Sequence, residues 1–420
     1  MPQDSTRAAL NSATVPRRNL LASPAVKTYV CLAAAHAMVD CFSSAWSIFK
    51  TLAGLDLAFA GLLATIGSLI ASIMQPIFGA VADHGYRRRF VLLGCVLASF
   101  MMLLGPISMT DDFMHSTFGY ALMFFVILVG WLGVGMFHPS GVSLAGDTLG
   151  ARRSTVVALF VACGMMGLSS GHLLFSFLFL ELDRHTEILM IPMGLVVLWV
   201  WRWCRVTESR PRGGVGIRSL TGRLTQVPIR LIPLWVILVM ISAHQQGMIF
   251  LMPDLAIERG FGEFYVRGGA FGAFIVGAAV MAVPVGHLAD RFGRRRVIIL
   301  CLLLCTPLHF VVVMTTGVPA WLCLPMLFLV GGLAGAAGPV GVAHGQHLLP
   351  GHVSLISGLL MGFAWAAASP IQWTVGSLAK QPAWGPSGAL VWLGASLVIA
   401  VVSACFVPGS LGQTGGGDPA

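Results

Sequence analysis

The chain has 420 residues, of which 57% are apolar and only 10% are charged, with a formal net charge of +9. Soluble domains carry about one quarter charged residues, so this composition excludes a soluble globular protein and predicts a chain that resides in a lipid bilayer. The basic residues lie in short loops between apolar runs, where they set orientation, so the positive charge does not predict nucleic-acid binding.

Twelve apolar runs follow one another along the chain, beginning after a polar segment, 1–26, that has no signal-peptide pattern and predicts a retained first helix. A hydrocarbon core about 30 Å thick needs about 20 helical residues, and each run is close to that length. We therefore predict an all-α membrane protein with twelve transmembrane helices. The predicted spans are 28–48, 58–82, 89–108, 118–146, 154–180, 187–203, 231–253, 265–289, 296–315, 320–349, 353–379 and 387–407.

A short basic motif occurs twice, after the second and the eighth span. Residues 79–89 read GAVADHGYRRR and residues 286–296 read GHLADRFGRRR, so that Asp290 lies 207 residues after Asp83, about half the chain. A repeat at half-chain spacing indicates a duplicated architecture. We predict an N-terminal six-helix bundle at 1–204, a cytoplasmic linker at 205–230, a C-terminal six-helix bundle at 231–408 and a flexible tail at 409–420.

Lysine and arginine are distributed unequally between the two sides of the predicted membrane. With the amino terminus inside, 20 of the 25 fall on the inner side, and only Lys50, Arg184, Arg259, Arg267 and Lys380 fall outside. Positive residues are enriched in cytoplasmic loops. We therefore expect a multi-pass protein of the cell inner (plasma) membrane with both termini in the cytoplasm.

Few ionisable residues lie within the spans, where such groups are costly and usually face a cavity or a partner. His36 and Asp40 lie four residues apart on one face of the first helix, close enough to share a proton, and Asp40 is the only acid near mid-span. His138 precedes Pro139 in a glycine-rich part of the fourth helix, and kinked backbone of this kind is tolerated where it lines a cavity. No lysine or arginine lies in the middle of a span.

The second half repeats these histidines. His244 lies 208 residues after His36 and His344 lies 206 residues after His138, whereas the position equivalent to Asp40 holds Met248. We expect the four histidines to line one central cavity, with substrate near His138, His244 and His344. An alternative for each histidine alone is a hydrogen bond that bridges two helices. The glycine-rich segments 164–171 and 331–341 predict close helix packing.

These motifs resemble the major facilitator superfamily, whose twelve-helix members carry a Gly-x-x-x-Asp-x-x-Gly-Arg-Arg-type hairpin after the second and eighth helices. A narrower resemblance is to the fosmidomycin-resistance family of proton-driven exporters, and it rests on His36-x-x-x-Asp40, Phe137-His138-Pro139, and the run from Leu349-Pro350-Gly351 to Ser357-Gly358. In the first hairpin Tyr86 follows Gly85, so the arginines come one place later than in the family pattern.

The resemblance implies a cytoplasmic gate in the outward-open state, in which the Asp83 carboxylate meets the amino end of the eleventh helix. The gate residues are Asp83, Arg87, Arg88, Asp290, Arg294 and Arg295.

Together these features predict a proton-coupled secondary transporter of a small molecule, in which two bundles rock about a central site and export a drug or metabolite. Asp40 and His36 are the predicted proton-binding residues. Proton-coupled uptake and a transporter-like sensor without transport are the alternatives. The sequence offers no catalytic cluster, so we expect no enzyme, no metal and no cofactor. The expected partners are the substrate, protons and the lipid bilayer, and we expect a monomer.

Overall fold

The computed structural model describes residues 23–148, 153–204, 228–317, 319–349 and 356–409, and these residues form helices and short connections without a strand. Eleven of the helices are long and apolar enough to cross a membrane, which confirms the predicted all-helical membrane fold. We number the helices α1 to α12 in chain order. They are α1 Pro24–Leu52, α2 Leu57–Ala82, α3 Arg87–Ile107, α4 Thr117–Thr148, α5 Val156–Glu181, α6 Thr186–Trp203, α7 Ile229–Glu258, α8 Tyr265–Phe292, α9 Arg294–Met314, α10 Ala320–Leu348, α11 at 356–379, and α12 Gly385–Cys405.

α11 corresponds to the predicted span 353–379, but it is divided. A π-helical segment, Gly358–Phe363, leads into Ala364–Ala368, and Pro370 separates that piece from Ile371–Ala379. Proline has no N–H and clashes with the preceding turn, so the regular helix ends there. Ser369 lies at the break and bonds to α2: its carbonyl accepts from the Thr65 hydroxyl at 3.0 Å, and its hydroxyl lies 3.0 Å from that of Ser68.

Two helices run four or five residues further than predicted. α1 continues to Leu52 rather than residue 48, and α7 continues to Glu258 rather than residue 253. Lys50 therefore lies within α1, two residues past the predicted end of the first span, where it is fully buried and pairs with Asp254 of α7. Opposite charges that neutralise each other allow both helices to continue inside the packed protein.

The helices form two bundles, α1 to α6 and α7 to α12, that meet along three seams: α1 with α7, α2 with α11, and α5 with α8. Glycines allow the backbones of α2 and α11 to approach each other closely at their seam. A Cβ added to Gly61 would lie 2.4 Å from the Gln372 carbonyl oxygen, and one added to Gly376 would lie 2.2 Å from that of Leu57. The seam is therefore tightly closed near the start of α2 and the end of α11.

The predicted linker 205–230 and tail 409–420 lie almost wholly outside the described residues, so these boundaries stay predictions. Two names are used below for the two sides of the protein. The arginine side holds the α2–α3 and α8–α9 hairpins, and the Lys50 side holds the opposite ends of those helices.

Candidate functional site

Three predicted site residues meet inside the first bundle, and we call them the His–Asp–His cluster: His36 and Asp40 of α1 and His138 of α4. The Asp40 carboxylate lies between the two imidazoles. Its Oδ2 is 3.2 Å from His36 Nε2, and its Oδ1 is 3.1 Å from His138 Nε2. The spacing of four residues on α1 therefore brings His36 and Asp40 together, and α4 supplies the second imidazole.

Backbone carbonyls fix both imidazole rings. His36 Nδ1 donates to the Phe160 carbonyl of α5 at 2.8 Å, and His138 Nδ1 donates to the Val134 carbonyl at 2.8 Å. The His36 ring also stacks on the Phe160 ring, with centroids 4.2 Å apart. The side chain of His36 is 5% exposed, that of Asp40 13% and that of His138 28%. His138 is therefore the member of the cluster most open to a bound molecule.

These bonds determine what the cluster does with protons. Because each Nδ1 already carries a hydrogen, each Nε2 holds a lone pair unless a second proton binds there. Each Nε2 faces an oxygen of Asp40, so each contact is a hydrogen bond only when a proton lies between the two atoms. The cluster thus has two places for a proton, and with both empty, lone pairs would face one another across little more than 3 Å.

A glycine of α5 leaves space for the cluster. A Cβ added to Gly164 would lie 2.5 Å from both Asp40 Oδ2 and His36 Nε2. Further along α5, a Cβ on Gly167 would lie 1.9 Å from the Ala37 carbonyl oxygen. The glycine-rich segment 164–171 therefore packs closely against α1, as predicted, and Gly164 also borders the site.

The donor groups of His36, Asp40 and His138 lie within 4.8 Å of one another, close enough to share a metal ion. Both Asp40 oxygens also contact an imidazole, so that a proton in each contact would complete a hydrogen bond. The sequence-based expectation of no metal and no cofactor stays a prediction.

The structure does not bring His244 to the cluster. His244 is fully buried in the second bundle, where its Nε2 lies 3.1 Å from His309 Nδ1, and His309 Nε2 donates to the Leu390 carbonyl. In this structure the four histidines therefore do not meet, and a role of His244 and His344 in substrate binding stays a prediction. With Met248 where the first bundle has Asp40, the second bundle has no carboxylate there to hold two imidazoles together.

His344 lies on the arginine side, and its Nε2 donates to the Pro408 carbonyl at 3.0 Å. It lines a cavity of about 650 Å³ together with Asp290, Arg294 and Arg295. Two of the four histidines thus form the cluster, and the other two lie in separate surroundings within the second bundle.

Each of the two hairpins turns at a glycine. Gly85 and Gly293 both have positive φ, 97° and 95°, which glycine adopts without steric cost. Arg87 pairs with Asp83 at 2.6 Å, and an ion pair at the same four-residue spacing joins Asp290 to its arginine in the second hairpin. Counted from the acid, the arginines of the first hairpin therefore stand where the family pattern has them, and the departure is that Gly85 comes one place early.

The other arginines of the predicted gate bond within their own bundles. Arg88 donates to the Trp201 carbonyl, Arg294 donates to Ala343, and Arg295 donates to Cys405. The predicted latch would join Asp83 to the amino end of α11, and residues 350–355 lie outside the described residues. The gate role of all six residues stays a prediction.

Sequence reasoning missed several residues that matter here. Phe160 and Gly164 gave no signal, because their roles depend on α5 lying against α1. Lys50 and Asp254 stand near the ends of apolar runs 204 residues apart, and the one available clue was that each is a charge beside an apolar segment. The contact of His309 with His244 also depends on how two helices of the second bundle pack.

Comparison with known proteins gives the family. A family model described as the Major Facilitator Superfamily matches residues 28–355. The uncharacterized MFS-type transporter YfnC of Bacillus subtilis (strain 168) is 23% identical over 315 residues, which cover 73% of this chain and 74% of that protein. The fosmidomycin resistance protein of Escherichia coli (strain K12) is 23% identical over 317 residues, which cover 73% of each chain.

A solved D-xylose-proton symporter shares the fold. It superimposes with a TM-score of 0.71 at 17% identity, covering 92% of this chain and 97% of that one. The match to the family model spans most of the chain and includes every member of the His–Asp–His cluster and both hairpins. The chain therefore belongs to the major facilitator superfamily and is a membrane transporter rather than an enzyme, as the sequence predicted.

Proposed function

We propose that this protein is a proton-coupled secondary transporter that exports a small drug or metabolite by alternating access. The observation that carries the proposal is the Asp40 carboxylate held between two imidazoles in a nearly dry part of the first bundle. Ionisable groups within a membrane span are costly, and those that occur usually mark a substrate or ion pathway or a proton relay.

Proton binding at the cluster would be coupled to substrate through the arrangement of the bundles. Asp40 and His36 hold the proton, and His138, as the most exposed member, lies closest to an incoming substrate. A ligand that favours one arrangement of the bundles changes the affinity for the other ligand, which is coupling in the thermodynamic sense. The predicted role of His244 and His344 in substrate binding is not part of this step.

The proposed direction is export, because one relative is named a fosmidomycin resistance protein. The excess of lysine and arginine on the arginine side supports a cytoplasmic location for that side and for both termini. Uptake driven by protons would use the same cluster and remains the alternative outcome of the experiment.

The test is transport by purified protein in proteoliposomes of known orientation, with an imposed pH gradient and a panel of drugs and small metabolites. For a transported compound, we expect Asp40→Asn to lose uphill accumulation by about tenfold or more while exchange without a gradient continues. Asp112→Asn, which removes an exposed carboxylate between α3 and α4, is the matched control and should accumulate substrate normally. Unchanged uphill transport in Asp40→Asn would refute the assignment, and the gradient that drives accumulation gives the direction.

A further inference from the structure

A buried ion pair joins the two bundles on the Lys50 side. The Lys50 side chain of α1 is fully buried, and its ammonium group contacts the Asp254 carboxylate of α7. Its neighbour Thr51 accepts a hydrogen bond from Lys50 Nζ at 2.9 Å and donates to Asp254 Oδ1 at 3.0 Å. Lys50 Nζ also lies 4.6 Å from the centre of the Phe250 ring, one turn earlier on α7.

Each of the other two seams carries an ion pair on the same side. At the α2–α11 seam, Lys380 Nζ lies 2.6 Å from Asp56, and at the α5–α8 seam, Arg267 lies 2.8 Å from Glu181. We call these three pairs the ionic clasp. Only Lys50–Asp254 is buried, and the other two are largely exposed, so the buried pair is the one that solvent screens least.

The ionic clasp lies beyond the His–Asp–His cluster. Lys50 follows Asp40 by ten residues, which along a helix is about 15 Å. Between them, Ser47 is hydrogen-bonded to His172 of α5 at 2.6 Å, and His172 stacks on Phe271 of α8 with ring centroids 3.7 Å apart. These contacts close the protein between the His–Asp–His cluster and the Lys50 side.

We propose that Lys50 and Asp254 form the principal latch of this side, and that their separation is the step that opens the cluster toward it. The inference deepens the proposed function, because it rests on alternating access. Removing one partner leaves a charge buried without compensation in the closed state, whereas water reaches that charge once the bundles part. Either single variant therefore shifts the equilibrium toward opening on the Lys50 side.

Hydrogen–deuterium exchange of the intact protein in lipid nanodiscs measures this equilibrium without a substrate. In Lys50→Gln and Asp254→Asn, we expect exchange to rise about tenfold or more in segments 45–56 and 250–262. Because rocking closes the opposite side, segment 73–90 on the arginine side should become more protected. The charge swap Lys50→Asp with Asp254→Lys should return toward wild-type exchange.

Two control variants separate the latch from general loosening. Arg184→Gln removes a pair with Asp111 that lies within the first bundle, and it should leave exchange at the seam unchanged. If a single variant fails to fold, the neutral pair Lys50→Gln with Asp254→Asn buries no charge, and it should still exchange faster than wild type at the seam.

The latch proposal would be overturned if the single and neutral-pair variants exchanged at the wild-type rate. It would also be overturned if they exchanged faster on both sides of the membrane. The exchange measurement is made at one fixed pD and does not require that protons drive transport. If Asp40→Asn still transported uphill while the latch variants showed faster exchange on the Lys50 side and slower exchange on the arginine side, the assignment of Asp40 would be refuted and the latch would stand.

Discussion

Substitution of Gly164 by alanine tests whether the geometry of the His–Asp–His cluster is needed for transport. The added Cβ would lie 2.4 Å from His36 Cε1 and 2.5 Å from Asp40 Oδ2, where an ordinary contact is 3.4–4 Å. One of the groups must therefore move by about 1 Å, because inserting a methyl group into a packed interior forces side chains or backbone to shift.

The size of this shift predicts a larger loss of function than of stability. The His36 Nε2–Asp40 Oδ2 distance of 3.2 Å would increase to about 4 Å, beyond hydrogen-bonding range. Overpacking of this kind costs about 1–3 kcal/mol, which a protein of this size tolerates. A misplacement of about 1 Å at a working site costs up to about 100-fold in rate, so we expect proton-driven accumulation to fall at least about tenfold.

The assay combines uphill transport in proteoliposomes with the thermal unfolding midpoint of the same preparation. Gly338→Ala on α10 is the matched control, because a Cβ there meets no atom within 4 Å. It should transport and unfold like wild type. Normal accumulation in a folded Gly164→Ala variant would show that the close contact with His36 and Asp40 is not needed, and the reasoning would fail.

Two further predictions concern stability. Gly167→Ala places a Cβ 1.9 Å from the Ala37 carbonyl oxygen, so α1 and α5 must separate, and the unfolding midpoint should fall clearly below that of Gly194→Ala, whose Cβ meets nothing within 4 Å. Partial burial alone would raise the pKa of the Asp56 carboxyl, but the hydrogen bond from Lys380, the charge of Lys380 and backbone hydrogen bonds from Phe59 and Ala58 together hold that pKa below its ordinary value. The stabilisation is therefore present above the ordinary carboxyl pKa of about 3.9 and is lost as the pH falls through the lowered value. Because the pair is exposed, Lys380→Gln should cost no more than about 1 kcal/mol at about pH 7. Its unfolding midpoint should converge with that of wild type once the pH is low enough to protonate Asp56, and a difference that persists in that range would contradict this origin.

The sequence by itself determined the fold class, because apolar runs of membrane length and a motif repeated at half-chain spacing depend only on local composition and duplication. It also identified His36 and Asp40 as a pair, since four residues along a helix fix a common face whatever surrounds it. The exception within the fold was α11, where Pro370 divides a run that composition alone predicts to be continuous.

Only the tertiary structure decided which of the symmetric residues meet. Equal spacing placed His244 and His344 on helices equivalent to those of His36 and His138, but His244 contacts His309 and His344 contacts the Pro408 carbonyl instead. The second bundle also has Met248 in place of Asp40. The contacts of Gly164 with the cluster and of Lys50 with Asp254 join helices that are distant in the chain. Such contacts depend on how the helices pack, which no local pattern of residues records.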